Sequence, residues 1–227
     1  MDFLLSVGAW FADPVHWSGS DGVPTRVREH VLLSGAAVAA AALVALPTGV
    51  LLGHAGRGGF LAVNVAGIGR ALPSLALLGL ALLVALPLGL GLGVAPTFMA
   101  MVPLALSPIL TNSYVGLREV DRDVVESARG MGMREDQVLR RIELPLAAPL
   151  ILGGLRNAAV AVIATATLGA VVAGPGLGRY IVDGLALREH ERLFAGALLV
   201  ALLAVGTELA FGVLERVSRH TGTGRET

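Results

Sequence analysis

Long apolar runs separated by short polar segments dominate this chain. A helix that crosses a bilayer needs about 20 consecutive, mostly apolar residues, and five stretches reach that length. They cover residues 31–53, 59–93, 95–117, 144–173 and 193–214. The pattern therefore predicts an all-α, polytopic membrane protein with about five transmembrane helices.

The second run is too long for one straight helix and too short for two spans with a turn between them. It contains Arg70, and an arginine at the bilayer centre costs at least about 2.5–3.5 kcal/mol. A crossing helix over residues 72–92 keeps Arg70 near an interface. We therefore expect the membrane crossing at 72–92, with a bend at Pro73.

Arginine distribution predicts the orientation, because cytoplasmic loops carry an excess of basic residues. With the amino terminus outside, ten arginines lie in inner segments and five in outer segments. We therefore expect residues 1–30 to form an extracytoplasmic segment, residues 31–215 the membrane domain, and residues 216–227 a cytoplasmic tail. Trp10, Phe11 and Trp17 are typical of interfacial anchors on a short amphipathic helix, and a flexible tail is the alternative.

The segment 118–145 is highly charged and cannot lie in lipid. Thirteen of its 28 positions are charged, seven acidic and six basic. Asp121 is suited to cap a first short helix, and Val124, Ala128 and Met131 recur at helical spacing. Gly132 can adopt the left-handed conformation that ends it.

A second short helix is predicted from about Arg134. It carries Val138, Leu139 and Ile142 on one face, and Pro145 is expected to end it. The two helices form a helix–turn–helix bracket between membrane spans. A solvated loop that only keeps its charges out of the membrane is the alternative interpretation.

The amino-acid composition excludes several kinds of binding site. All 17 basic residues are arginine, and 17 acidic residues balance them. Without lysine the chain has no Walker A nucleotide site, and the zero net charge gives no reason to expect nucleic-acid binding. Absent cysteine excludes a thiolate metal site. We find no catalytic motif and no metal-ligand spacing among the histidines, all of which we expect to be solvated: His16, His30, His54, His190 and His220.

The string Glu126-Ser127-Ala128, followed by Gly132 and by Ile142-Glu143-Leu144-Pro145, resembles the signature loop of permease subunits in ABC importers of the type I fold. Ser127 stands where that signature usually has alanine. Residues 70–78, 112–117 and 164–178 are similar to permeases for osmoprotectants such as glycine betaine, choline and carnitine. The resemblance extends over about residues 30–215.

The resemblance implies that this subunit works with two separate ATPase subunits, a second permease copy or homologue, and an extracytoplasmic substrate-binding protein. ATP and Mg²⁺ would then be bound by the ATPase, and this chain would hold no cofactor. Gly132 would be the turn glycine, and Glu126 would fix the loop by a charge-assisted hydrogen bond. The ATPase-coupling residues implied are Glu126, Ser127, Ala128, Met131, Gly132, Met133, Ile142, Leu144 and Pro145.

Polar residues within or beside the apolar runs are candidates to line a substrate pathway: Asn64, Ser74, Asn112, Tyr114, Thr165 and Thr167. Such residues more often bond to neighbouring helices or to their own backbone. Arg70, Arg156 and Glu208 are ionisable residues inside the runs, and Glu208 is a possible partner for an arginine. Importers of methionine or phosphonate, and less readily a secondary transporter, are alternative functions.

Overall fold

The computed structural model describes residues 2–60, 64, 67 and 71–223. All the regular secondary structure of these residues is helical, as predicted. The α-helices are α1 (Asp2–Ala12), α2 (Val23–His54), α3 (Ser74–Ala85), α4 (Val94–Arg118), α5 (Arg122–Gly130), α6 (Glu135–Val138), α7 (Leu144–Ala166), α8 (Gly178–Leu187) and α9 (His190–Thr223). Short 3₁₀ helices span Pro14–Trp17 and Thr167–Val172, and a π-helix spans Leu139–Glu143.

Four of the described helical stretches are long and apolar enough to cross a membrane. They are α2, α4, the continuous stretch that contains α7, and α9. These stretches correspond to the first, third, fourth and fifth apolar runs. The predicted multi-pass helical architecture is therefore confirmed.

The core forms where α2, α4 and α7 pack together. Every fourth residue of α2 from Ala37 to Gly53 is alanine or glycine, and each of these five residues is buried. A Cβ at Gly49 would lie 2.7 Å from the Ser113 Cβ of α4. Small residues at this spacing allow two membrane helices to approach closely. The outer helices follow, with α9 packed on α7, and with α8 and α1 packed on α9.

The second run forms a shorter helix than expected. α3 has 12 residues, which gives about 18 Å at 1.5 Å per residue against a hydrocarbon core of about 30 Å. The helix ends early because residues 86–93 form turns in which Gly89, Gly91 and Gly93 all have positive φ. Pro73 has an extended backbone and caps the start of α3, so the chain changes direction at the proline where a bend was predicted. Arg70 lies outside the described residues.

The amino-terminal segment packs on the helix bundle. Phe3 of α1 meets Phe194 of α9 edge-to-face at 5.5 Å, and Trp10 meets Tyr180 of α8 at 5.6 Å. Trp17 is about half exposed. Residues 2–17 therefore form a helical segment that packs on the bundle. Its position outside the cytoplasm stays a prediction.

The bundle has two structurally different ends. We call His54 together with residues 118–145 the charged end. We call residues 167–178, together with Glu29, His30 and Thr97 that they contact, the glycine end. α2 runs from one end to the other.

Candidate functional site

The turn in the charged end is a complete helix-ending motif. Asp121 caps α5 by accepting a hydrogen bond from the Asp123 N–H at 2.9 Å, as predicted. The Gly132 N–H donates to the Arg129 carbonyl at 2.9 Å, and the Met133 N–H donates to the Ala128 carbonyl at 3.2 Å. This pair of bonds is the Schellman pattern, which needs a left-handed residue at its centre. Gly132 has φ +85°, so the prediction for this glycine is confirmed.

The apolar face of α5 differs from the predicted one. Val125 and Ala128 are buried with Val120, Val138 and Ala147. Val124 is 42% exposed and Met131 is 78% exposed. The helical spacing of Val124, Ala128 and Met131 therefore does not mark the buried face, which consists of Val125 and Ala128. Met131 instead presents an apolar side chain at the tip of the turn.

Pro145 does not end the second helix, contrary to the prediction. The chain continues helically from Glu135 through Ala166, with Pro145 in the first turn of α7. Proline lacks an N–H, and its ring clashes with the carbonyl four residues earlier in a regular α-helix. The π-helical turn Leu139–Glu143 widens the helix just before the proline, with the Leu144 N–H bonded to the Leu139 carbonyl. The helix thereby passes the proline without a break.

The same wide turn directs Glu143 into the protein. Its side chain is 7% exposed, and its Oε2 lies 2.5 Å from Nδ1 of His54 at the end of α2. The His54 Nε2 lies 3.5 Å from Oε2 of Glu135. Glu135 in turn receives two hydrogen bonds of 2.9 Å from Arg129, which raise the pKa of that guanidinium. One network of polar side chains therefore joins α2, α5, α6 and the π-helix.

No local sequence pattern indicates this network. His54 and His30 were predicted to be solvated, and both predictions are wrong. His54 is tied to Glu143, and His30 is 1% exposed with its Nε2 2.9 Å from the Ile163 carbonyl. His16 is half-buried and stacks on Trp10, whereas His190 is exposed as predicted. Whether a histidine is buried depends on which helix packs beside it. The polarity of the neighbouring residues in the sequence does not determine that packing.

The remaining coupling candidates divide between surface and core. Glu126 and Ser127 are exposed, and Glu126 lines a polar cavity of about 250 Å³ with His54, Arg118 and Arg122. Met133, Ile142 and Leu144 pack against the apolar cluster of the loop. Pro145 is exposed. The coupling roles of these residues stay predictions.

A second, more apolar cavity of about 510 Å³ lies between α3, α4 and α7. It brings together three of the predicted pathway residues, Ser74, Asn112 and Thr165. Its other polar lining residues are Ser107, Thr111 and Asn157, none of which was predicted to line a pathway. The lining side chains are all uncharged: Leu72, Ser74, Leu104, Ser107, Pro108, Thr111, Asn112, Asn157, Ala161 and Thr165.

The other pathway candidates lie elsewhere. The Tyr114 hydroxyl would contact a Cβ at Gly59, and Tyr114 backbone atoms lie against Gly49 and Gly53. The Asn64 amide donates to the Phe60 carbonyl at 2.6 Å, and the Thr167 hydroxyl donates to the Ala164 carbonyl at 2.8 Å. Thr165 also bonds to its own helix, through the Ala161 carbonyl. These bonds follow the usual behaviour of polar residues in membrane helices.

Arg156 of α7 pairs with two carboxylates of α9. Its guanidinium lies 3.5 Å from Glu208 and 3.4 Å from Glu215. The suggested pairing of Glu208 with an arginine is therefore confirmed. In the described residues, no group of three or more His, Asp or Glu side chains is placed to hold a metal ion.

These features define a multi-pass helical membrane protein with a charged helix–turn–helix bracket at one end and an uncharged cavity between its helices. A family model described as "Binding-protein-dependent transport system inner membrane component" matches residues 45–220. The chain belongs to this family. It is thus a membrane component of a transport system and not an enzyme, and the predicted family resemblance is confirmed.

Relatives of known function share most of the chain. It is 38% identical over 200 residues to the choline transport system permease protein OpuBB of Bacillus subtilis (strain 168), covering 88% of this chain and 90% of the relative. It is 38% identical over 187 residues to the carnitine transport permease protein OpuCB of Listeria monocytogenes, covering 82% and 84%. A solved structure of the MetNI methionine ABC transporter matches with a TM-score of 0.74 at 20% identity, covering 86% of this chain and 95% of that chain. The structural match confirms the importer permease fold.

Proposed function

We propose that this chain is the permease subunit of an ATP-driven importer for osmoprotectants, namely quaternary ammonium compounds such as glycine betaine, choline or carnitine. The observation that carries the proposal is the 37–38% identity, over more than 80% of the chain, to permeases named for choline, carnitine and glycine betaine. The described residues of three stretches that resemble such permeases, 71–78, 112–117 and 164–178, lie on different helices or turns.

The cavity between α3, α4 and α7 is the proposed substrate pathway. Quaternary ammonium groups carry no N–H donor and are held tightly by aromatic faces. The lining of this cavity consists instead of hydroxyls, amides and aliphatic groups. Such a surface lets a hydrated, charged solute pass without a deep binding minimum. Tight recognition is therefore assigned to the external binding protein.

The charged end is the proposed docking element for the ATPase. Its turn exposes Met131, a flexible and polarisable side chain suited to an adaptable apolar contact. The Schellman bonds fix the turn, and the apolar cluster beneath it holds the far side of the loop. ATP and Mg²⁺ would be bound by the partner chain, because this chain has no lysine for a phosphate loop.

This assignment sets the orientation. The charged end lies in the cytoplasm, the carboxy terminus lies inside, and residues 1–30 lie outside with the binding protein. Two permease subunits, identical or homologous, would enclose the pathway. Closure of the ATPase pair would move both charged ends, and the permeases would alternate between inward-open and outward-open states.

Reconstitution tests the proposal. The permease is purified with its ATPase and binding protein, placed in proteoliposomes, and supplied with labelled choline, glycine betaine or carnitine. We expect uptake of at least one of these solutes that requires ATP. An ATPase whose phosphate-loop lysine is replaced provides the matched control and should stop uptake.

Two results would contradict the proposal. ATP-dependent uptake of methionine, with none of the quaternary amines transported, would assign the chain to another solute. Uptake that continues with the inactive ATPase would indicate a secondary transporter.

A further inference from the structure

His54 belongs to no sequence motif. It joins the end of α2 to residues 118–145 of the charged end. Its ring lies between two carboxylates, with Nδ1 facing Glu143 and Nε2 facing Glu135. The His54 side chain is 17% exposed and that of Glu143 is 7% exposed, whereas Glu135 is 59% exposed. The His54–Glu143 contact is therefore the shielded part of the network.

A shielded carboxylate requires a partner. Burying an ionised carboxylate without a compensating hydrogen bond or charge is costly, and removing one member of a buried pair is strongly destabilising. The π-helical turn places Glu143 where the end of α2 is the available donor. The His54–Glu143 contact thus adds a directional polar contact to the packing of Val50 of α2 against the apolar cluster of the loop.

α2 carries this position to the opposite end of the molecule. Glu29 of α2 accepts a hydrogen bond from the Gly176 N–H at 2.9 Å. The His30 ring bonds to the Ile163 carbonyl at 2.9 Å. Residues 29 and 54 are about 38 Å apart along a continuous helix at 1.5 Å per residue. One helix therefore contacts the charged loop at one end and the 163–176 region at the other.

We propose that His54 is a positioning residue of the transport cycle, which locks α2 to the ATPase-docking loop through Glu143. Movement of the loop then reaches the glycine end through α2 as well as through α7, with which the loop is continuous. This inference rests on the proposed function. Without the lock, the ATPase still hydrolyses ATP on an assembled complex, but fewer solute molecules are moved for each ATP.

The test compares two amides that differ only in reach. In His54→Asn the side-chain amide occupies the place of Nδ1, and in His54→Gln it lies one methylene further out. Solute transported per ATP hydrolysed is measured in proteoliposomes, on complexes that co-purify with the ATPase. We expect His54→Asn to keep the wild-type ratio. His54→Gln should lower it about fivefold or more, as for a lost coupling between sites.

The second part of the test changes the lengths of both side chains, His54 and Glu143. Glu143→Asp shortens the carboxylate by one methylene and should lower the ratio as His54→Gln does. The double variant His54→Gln with Glu143→Asp restores the reach and should recover most of the ratio. His190→Asn and His190→Gln, at an exposed histidine, are matched controls and should leave the ratio unchanged.

The outcomes separate the two proposals. If the wild-type complex shows no ATP-driven uptake, the proposed function fails. If the wild type transports and the Asn and Gln variants have equal ratios, or if the double variant is no better than either single variant, the assignment of His54 is overturned.

Discussion

The charged end and the glycine end, which α2 connects, are held together by different means. At the charged end, side chains reach across gaps, with His54 bonded to Glu143 and Arg129 to Glu135. At the glycine end, backbone atoms within residues 167–178 lie directly against one another, beside the side-chain contact of Glu29. A Cβ added at Gly178 would lie 2.3 Å from the Thr167 carbonyl oxygen, and the Gly174 N–H bonds to the Gly169 carbonyl at 2.8 Å.

The difference has mechanical consequences. Backbone-to-backbone contacts leave little room for adjustment, because interiors are close-packed and even one extra methylene is felt. Side-chain contacts at the charged end can be broken by substitution without a clash between backbones. We therefore expect substitutions at the glycine end to act on folding, and substitutions at the charged end to act on the position of the loop and on coupling.

The largest effect is expected for Gly178→Ala. The new Cβ would lie under 3.0 Å from three backbone atoms of Thr167. A backbone cannot move away as easily as the end of a flexible side chain. The cost should be at or above the upper part of the range of about 1–3 kcal/mol for overpacking. Thermal melting of the purified permease in detergent measures the loss. Gly8→Ala, where a Cβ meets nothing within 4 Å, is the control, and equal melting of the two variants would refute the close packing.

A smaller effect is expected for Glu29→Ala. It removes the acceptor of the Gly176 N–H and one partner of Arg26. A hydrogen bond to a charged group contributes about 1.5–3 kcal/mol. Glu29→Gln keeps an acceptor oxygen and should fall between the wild type and Glu29→Ala in thermal melting. Equal stability of Glu29→Ala and the wild type would show that this bond does not hold the glycine end.

Gly132→Ala tests whether the left-handed backbone of the turn matters for docking of the ATPase. A Cβ here meets nothing within 4 Å, so the cost comes from the left-handed backbone, about 1–2 kcal/mol for a residue other than glycine. We expect the melting temperature of the membrane domain to change little and co-purification with the ATPase to weaken. Gly132→Asn should be milder, because asparagine tolerates this conformation better. If Asn and Ala variants bind the ATPase equally well, the turn geometry does not govern docking.

The smallest effect is expected for Arg129→Ala. The Arg129–Glu135 pair is bidentate but solvent-exposed, and such pairs contribute little and are screened by salt. The change in melting temperature should be the least of the four and should shrink further at high salt. A loss as large as that of Glu29→Ala would mean that this exposed pair stabilises the protein as much as the Glu29 hydrogen bonds at the glycine end.

Prediction from sequence succeeded where the signal was local. The apolar runs predicted α2, α4, α7 and α9, and Gly132 and Asp121 predicted the turn and its cap. The failures have physical reasons. Pro145 normally stops a helix, but a π-helical turn accommodates it. Residues 72–92 were apolar enough to span, but three glycines with positive φ end α3 at Ala85.

The residues that line the cavity between α3, α4 and α7 were also only partly predictable from the sequence. Ser74, Asn112 and Thr165 were singled out by their polarity, but so were Asn64, Tyr114 and Thr167, which do not line it. Ser107, Thr111 and Asn157 line it and were missed. Polarity identifies residues that need a partner, and only the rotation of each helix about its axis decides whether that partner is a neighbouring backbone or open space.

The sequence by itself determined that the chain crosses the membrane several times and carries a charged bracket with a glycine turn, because hydropathy, capping and left-handed backbone preferences act over a few neighbouring residues. The tertiary structure alone decided that His54 meets Glu143, 89 positions away, and that His30 is buried against Ile163, 133 positions away. Those contacts depend on the close approach of small residues on α2 and on the widened turn before Pro145. Such geometry arises only when separate helices pack against one another.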